Sequence, residues 1–560
     1  MKVTHESPLP GMLQLPLILL CSAAPILARA EGVAAAPGTA AARPNILYIM
    51  ADDHSAQAIG AYAGRLAPLD PTPTIDRLAK EGMRFTNCFC VNSICSPSRA
   101  SILTGQYSQS NRVLWLDQPL PPERQYLPKL MHDAGYVTAI IGKWHLTDEP
   151  AAFDYYKTYP IQGTYFDPVF CEKGKGKYPD NKVATKGHEA DVVTDSALDW
   201  LQHRDPSKPF FFCLHYKSPH DDFENAPRYN DYLKDVEIPE PDSLYHDRNH
   251  GSIATRGDHD ELLRFLGSSV GRRNVFRNML SFAKLKADSP RSDDELKHQA
   301  YQAYLKRYLR CVKGIDDNLR RLLAWMEQEG LMNNTLIVYT SDQGMWLGEH
   351  DYVDKRWMYE ESLRMPLIVR YPGAIKAGAT SDAIINTTDF APTLLDYAGA
   401  ETPSYMQGHS FRSILETGKT DAKWRTATYY RYWMHLAHHY NPAHFGIRTG
   451  RYALMFFYGI LPDGKGIQTP PGWEFYDLQS DPEELDNRYD DPKYTSVIAE
   501  LKTQLKQLRQ QNGETDHNYP AVQAVVDKFW DTTPENRAAA VEISHAAARQ
   551  FDELQKVPVR

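Results

Sequence analysis

Seven cysteines in 560 residues are too few and too scattered to form a disulfide framework. Stability must therefore come mainly from a hydrophobic core, and the length allows a large core with a smaller domain beside it. No basic block is present, and the net charge is −9. This excludes the electrostatic footprint of a nucleic-acid binder, and any pull on an anionic substrate has to be local. Internal repeats are absent. Beyond residue 28 no apolar run is long enough to span a bilayer, so no stable membrane anchor is expected. The one long apolar stretch, residues 12–28, follows Lys2, is interrupted by Pro16 and Pro25, and ends in Ala28-Arg29-Ala30. That pattern predicts a signal peptide over residues 1–30, cleaved near Ala30, with a linker over 31–43. The product would be exported: periplasmic, secreted or lumenal. Cys21 follows Leu20 rather than a small residue, which argues against a lipid anchor.

What is present is a set of four short apolar runs that each end in polar, reactive residues. Residues 45–50 lead into Asp52-Asp53, and 136–141 lead into Lys143-Trp144-His145. Residues 209–214 lead toward Lys217 and His220, and 335–339 lead into Asp342-Gln343. Each run is β-branched or aromatic and almost continuously apolar, as a strand buried on both faces should be. Amphipathic stretches at 74–81, 192–203 and 303–330 alternate with them. The expected fold class is α/β, with a large, mainly parallel central sheet between helices. Such sheets put their chemistry at the carboxyl ends of the strands, and all four polar clusters stand there. A helix is expected over 389–397. Short antiparallel strands at 428–431, 445–458 and 473–478, then a helix over 494–511, predict a smaller C-terminal α+β domain. The expected divisions are a catalytic domain over 44–420, the α+β subdomain over 421–512, and a polar, partly helical tail over 513–560.

Asp52, Asp53 and Asp342 offer carboxylates and Gln343 an amide oxygen. An all-oxygen set of this kind suits Ca²⁺, Mg²⁺ less well and Zn²⁺ poorly. Cys95-Ser96-Pro97-Ser98-Arg99 opens a helical stretch that Gly105 can end. Ser96 is the expected N-cap and Pro97 the first helical residue. Cys95 then stands at a helix N-terminus, where free N–H groups favour an anion.

The stretch from Cys95 to Gly105, C-S-P-S-R-A-S-I-L-T-G, resembles the signature of type I sulfatases. Pro44–Leu47 with Asp52-Asp53, Gly142–His145, Ser218-Pro219-His220, Tyr339–Gly344 and the segment from Gly348 to Arg356 resemble further segments of that family. The resemblance runs from about residue 43 to 511, and it implies the alkaline-phosphatase-like sandwich. It also implies that Cys95 is oxidised to formylglycine by a formylglycine-generating enzyme, leaving Cys88, Cys90, Cys171, Cys213 and Cys311 with room for one bridge. Cys95 would join the Ca²⁺ set of Asp52, Asp53, Asp342 and Gln343. In the implied mechanism one hydroxyl of the hydrated aldehyde attacks sulfur, and the second lets the ester eliminate sulfate. Arg99 and Lys143 hold the diol and its charge, His145 helps deprotonate the second hydroxyl, and His220 and Lys355 serve the leaving group. Gln343 stands where many sulfatases have Asn; its longer side chain still presents an oxygen.

Residues 151–156, 222–232 and 354–364 resemble N-acetylglucosamine-6-sulfatases and related mucin- and glycosaminoglycan-desulfating enzymes. The expected substrate is a sulfated carbohydrate, with 6-O-sulfated N-acetylglucosamine favoured. Residues 430–435 and the histidines His435, His439 and His444 are candidates for touching the sugar. Alternatives are another polysaccharide sulfatase (for iduronate-2-sulfate or a galactose sulfate), a phosphonate or phosphodiester hydrolase of the same superfamily, or a catalytically silent carbohydrate-binding relative. The charged stretch 242–291 reads either as an insertion at the pocket rim or as plain surface.

Overall fold

All four apolar runs form strands of a single ten-stranded sheet. The computed structural model describes residues 43–245, 249–514 and 516–556. The expected signal peptide, most of the linker and Cys21 lie outside them. The large sheet takes, in chain order, β1 (Asn45–Ala51), β2 (Met83–Phe85), β3 (Val137–Gly142), β4 (Tyr155–Thr158), β5 (Val169–Glu172), β6 (Lys182–Ala184), β7 (Phe210–Tyr216), β8 (Thr335–Ser341), β9 (Leu367–Arg370) and β10 (Ala379–Ser381). Their spatial order is β10-β2-β9-β8-β1-β7-β3-β4-β5-β6. The five central strands, β8 to β4, are mutually parallel, while β9, β5 and β6 enter by antiparallel pairing. Every residue of β7 and β8 is buried, which is why their sequences show no polar alternation.

Side-chain alternation sorts β1 onto two cores. Leu47 and Ile49 face α1 (Pro73–Glu81), α4 (Glu189–His203) and α5 (Asp293–Gln328). Ile46, Tyr48 and Met50 face α2 (Cys95–Thr104), α3 (Tyr126–Asp133) and α6 (Phe390–Ala398). Helix α5 begins earlier than its apolar periodicity, because Ser292 and Glu295 close a reciprocal capping box at its start. The register then fixes the active edge. Ala51 lies level with Tyr216 and Ser341, and Gly142 with His215. The residues that follow these four strands therefore emerge together.

A second sheet is a four-stranded antiparallel meander of β11 (Ala427–Tyr432), β12 (His444–Thr449), β13 (Tyr452–Phe457) and β14 (Gly472–Asp477). The stretch read as one strand over 445–458 is a hairpin. The chain reverses at Gly450-Arg451, where the Thr449 hydroxyl accepts from the Arg451 and Tyr452 N–H groups at 3.2 and 2.8 Å. Helix α7 (Thr495–Gln511) packs on this sheet, followed by α8 (Pro520–Phe529), which has no counterpart in the sequence reading, and α9 (Pro534–Lys556). The tail is docked: Ala540, Ser544, Ala547 and Phe551 of α9 are buried. The six described cysteines are free thiols, so none of them forms a bridge. No described helix is long and apolar enough to cross a membrane.

The return from α7 into the tail is tied by a buried ion network. The Arg431 guanidinium, 1% exposed, donates to Asp516 at 2.6 Å and to Glu514, and Arg509 donates to Glu514 at 2.9 Å. Arg431→Ala leaves two buried carboxylates sharing one cation. The expected cost is about 3–5 kcal/mol of stability, read by denaturant titration. A loss below about 1 kcal/mol would show that the network is solvated.

Candidate active site

Cys95 is the first residue of α2, a helix buried along its whole length. Ile94, not Ser96, is the N-cap; the Ser96 hydroxyl instead donates to the His145 carbonyl at 2.7 Å and so binds the helix start to the loop after β3. Gly105 ends the helix in the left-handed region, at φ 65°, as a glycine cap should. Arg99 lies one turn on from Cys95, so both side chains point to the strand ends. Its Nε and Nη2 donate to Asp342 Oδ2 at 3.0 and 2.9 Å, and Nη2 also reaches Asp52 Oδ1 at 3.1 Å.

Asp52 and Asp53 follow β1, and Asp342 and Gln343 follow β8. Oxygens of Asp52, Asp53 and Asp342 lie within 4.8 Å of one another, in full burial. Burial and the neighbouring Asp52 charge push the Asp342 carboxyl up, to about 7. Burial works against Asp52 as well, yet Lys143, His220 and Arg99 hold it well below the usual carboxylate range. Gln343 donates its amide N–H to Asp53, while its carbonyl Oε1 is buried with no hydrogen-bond partner. An orphaned acceptor beside crowded carboxylates is unfavourable unless a cation faces it. The donor set is all oxygen, so the residues fit Ca²⁺ in type.

The Cys95 sulfur lies 3.6 Å from Asp52 Oδ1 and 3.7 Å from Lys143 Nζ. Lys143 is also paired with Asp52. Lys355 Nζ donates to Asp53 Oδ2 at 2.5 Å, and His220 Nε2 stands 3.7 Å from the same oxygen. The two histidines differ sharply. Burial drives His145 down to about 4, against a hydrogen bond it donates to the Asp117 carboxylate, with Lys143 and Arg99 adding to the fall. Burial and Lys355 act downward on His220 too, but Asp221 and Asp53 lift it to about 10. One imidazole is thus neutral and the other protonated near neutral pH, the split that separates a base from an acid. Asp221 holds His220 Nδ1 through its carboxylate and, at 2.8 Å, through its carbonyl.

Cys95, His145, His220 and Lys355 line one cavity of about 430 Å³. His439 lines it as well, with Nδ1 2.7 Å from the Ser268 hydroxyl. His435 and His444 do not. His435 is tied by Nε2 to the Ile467 carbonyl and by Nδ1 to the Ala443 N–H, at 2.8 and 3.1 Å. His444 is fully buried, stacked on Tyr430 and packed against Phe457. The aromatic stretch 430–433 is likewise interior: Tyr430 turns its hydroxyl to the Arg356 carbonyl at 3.1 Å. His438, which stands beside His439 in the same histidine-rich stretch, lines the cavity too, and the wall also includes Asp117, Asp221, Arg277, Asp354 and Arg356, to which the sequence reading gave no role. For three of them a signal existed, since Asp221 adjoins His220 and Asp354 and Arg356 flank Lys355. Arg356 Nε donates to Asp354 Oδ2 at 2.8 Å, and its Nη1 is buried without a partner.

The effect of Asp221 can be tested directly. Removing its charge in Asp221→Asn lowers the raised His220 pKa. The alkaline limb of the kcat profile, where the imidazolium proton is lost, moves to lower pH. At pH 8 the loss should be about 10- to 100-fold on a sugar sulfate, and much smaller on 4-nitrophenyl sulfate, whose leaving group needs no proton. An alkaline limb that stays in place would remove Asp221 from this role.

A buried anion-stabilising edge beside an acid–base pair defines a hydrolase of charged esters. The Sulfatase family matches residues 44–400, and the family described as N-sulphoglucosamine sulphohydrolase, C-terminal, matches residues 348–511. An N-acetylglucosamine-6-O-sulfatase of Bacteroides thetaiotaomicron is 40% identical over 85% of this chain and 88% of its own length. The human N-acetylglucosamine-6-sulfatase is 27% identical over 72% of this chain and 70% of its own. A solved structure described as being in complex with its substrate D-glucosamine-2-N,6-O-disulfate superposes with a TM-score of 0.74. It shares 38% identity over 85% of this chain and 99% of that one. A phosphonate monoester hydrolase from Silicibacter pomeroyi shares the fold, with a TM-score of 0.63 and 24% identity over 85% and 96% of the two chains. The chain belongs to the sulfatase family, and it is a sulfuric ester hydrolase.

Proposed function

We propose that this is an exported, Ca²⁺-dependent sulfatase that removes the 6-O-sulfate of N-acetylglucosamine from mucin or glycosaminoglycan glycans. The observation that carries this reading is the gathering of Cys95, Lys143, His145, His220 and Lys355 around one cavity edge, in a chain 40% identical to an N-acetylglucosamine-6-O-sulfatase. Asp52, Asp53, Asp342 and Gln343 would hold Ca²⁺ beside Cys95, and the ion would supply positive charge for the sulfuryl oxygens. Cys95, oxidised to formylglycine by a generating enzyme, supplies the attacking oxygen as the aldehyde hydrate. Lys143 Nζ, 3.7 Å from Sγ, stabilises negative charge at that position. Arg99 is occupied by Asp52 and Asp342 and fixes their oxygens in place. As the bond from sulfur to O6 breaks, His220 gives O6 its proton and the sugar leaves as the alcohol; Lys355 holds Asp53 on that side. His145, held neutral, takes the proton from the second hydroxyl of the hydrate; the C–O bond to the sulfate then breaks, sulfate leaves and the aldehyde is restored. Asp354 and Arg356 present a carboxylate and an unsatisfied guanidinium N–H for sugar hydroxyls. The cavity is in the size range of sites that hold small ligands, which suits a terminal sugar.

The test is a panel of 6-O-sulfated N-acetylglucosamine, 2-O-sulfated uronic acid, sulfated galactose and an aryl phosphodiester, with peptide mass spectrometry over Cys95. The 6-O-sulfate should give the highest kcat/KM. A preference for galactose or uronate sulfate overturns the sugar assignment, and a preference for the phosphodiester overturns the ester assignment.

A further inference from the structure

The cations that face this cavity are nearly all spent. Lys355 is paired with Asp53, Arg356 with Asp354, and His220 with Asp221. Lys217 donates to the Asp221 carbonyl at 3.1 Å and lies over the Tyr165 ring. Arg277 differs. It lines the same cavity, it is exposed, and its guanidinium makes no ion pair among the described residues. Its backbone, in contrast, is fixed: the Arg277 N–H donates to Asn274 Oδ1 at 2.8 Å, and its carbonyl accepts from the Ser269 N–H at 3.1 Å.

The segment is also bolted to the opposite rim loop. The Phe276 ring stacks on Tyr440 at 4.9 Å and 26°, and Tyr440 follows His438 and His439. Beneath them Phe265 stacks on Phe551 of α9 at 4.9 Å and 15°. A fixed backbone carrying an uncommitted guanidinium is suited to binding an oxyanion, because little ordering is left to be done on association. The charge is not needed at the scissile sulfate, where Lys143, Lys355 and His220 already stand.

We infer that Arg277 is a specificity-determining residue that reads a second anionic group, sulfate or carboxylate, on the saccharide whose 6-O-sulfate is removed. This rests on the sulfatase reading above. The guanidinium forms a charge-assisted contact with that group at the cavity mouth, and Asp117, exposed on the same cavity, disfavours the same group on its own side.

The experiment compares wild type, Arg277→Gln and Arg277→Lys on N-acetylglucosamine 6-sulfate, on glucosamine 2-N,6-O-disulfate, and on a disaccharide joining a hexuronate to N-acetylglucosamine 6-sulfate. Arg277→Gln should lower the ratio of kcat/KM for an anion-bearing substrate over that for the monosulfated sugar about five- to tenfold, mainly through KM. Arg277→Lys should restore much of the ratio, and added salt should shrink it in the wild type. A loss confined to the disulfate places the anion on the same sugar. A loss confined to the disaccharide places it on the neighbouring one. Ratios equal to wild type on both, or an equal loss on all three substrates, would overturn the role of Arg277 alone. A wild type that hydrolyses 4-nitrophenyl sulfate but none of the three sugars would overturn the sugar reading, and this inference with it.

Discussion

Cys95→Ala abolishes turnover of N-acetylglucosamine 6-sulfate, by at least about three orders of magnitude, while leaving the protein folded. The side chain is 1% exposed, and the substitution removes one sulfur at the start of α2. The neighbours it leaves behind, Asp52 and Lys143, are paired with each other, so no charge is stranded. Alanine is a good helix former, and the thermal midpoint should stay within a few degrees of wild type. The measurement is kcat beside a melting curve. Activity near the wild-type level in Cys95→Ala would end the proposed mechanism, and a collapsed melting curve would make Cys95 a packing residue.

Chelation, or Asp342→Asn, lowers kcat/KM by about two to three decades, the several kcal/mol expected of a cation at a charged transition state. A readout independent of catalysis comes from linkage. Ca²⁺ at about 100 times its Kd should add about 2.7 kcal/mol to wild-type stability and raise the melting point. Asp342→Asn should lose most of that rise. Asparagine is the better probe than alanine here, because Asp342 also holds Arg99, and a shorter side chain would leave the guanidinium without that contact. An enzyme that needs Zn²⁺ and ignores Ca²⁺ would contradict the oxygen-ligand assignment.

The central strands were legible because a strand buried on both faces must be apolar throughout, and the residues that end such a run stand out. Asp52, Lys143, His220 and Asp342 were found that way, and the parallel register did the rest. The rim was harder. His435, His439 and His444 look alike in sequence, yet burial separates them. His444 lies on a strand between aromatic rings, His435 is consumed by two backbone groups, and only His439 reaches the cavity. The hairpin at Gly450-Arg451 coincides with the polar break Arg448-Thr449-Gly450-Arg451, which reading 445–458 as a single strand passes over. Arg277 lies in a stretch of turns without periodicity, and its place is set by contacts with Asn274 and Ser269 and by the Phe276–Tyr440 stack. The docking of α9 through Phe551 is equally a matter of long-range contact.

The burial of α2 also sets a clock. Arg99 is enclosed by Asp342, which lies 243 positions downstream. Until that residue has been synthesised, β8 cannot join β1, and Cys95 remains open to other proteins. At about 5–20 residues per second, that interval lasts on the order of ten to fifty seconds. An enzyme that oxidised Cys95, as proposed above, would have to act within it, because the finished fold leaves the residue 1% exposed. Cells that make the chain faster than they can modify it should accumulate a well-folded, inert population that later addition of the modifying enzyme does not rescue.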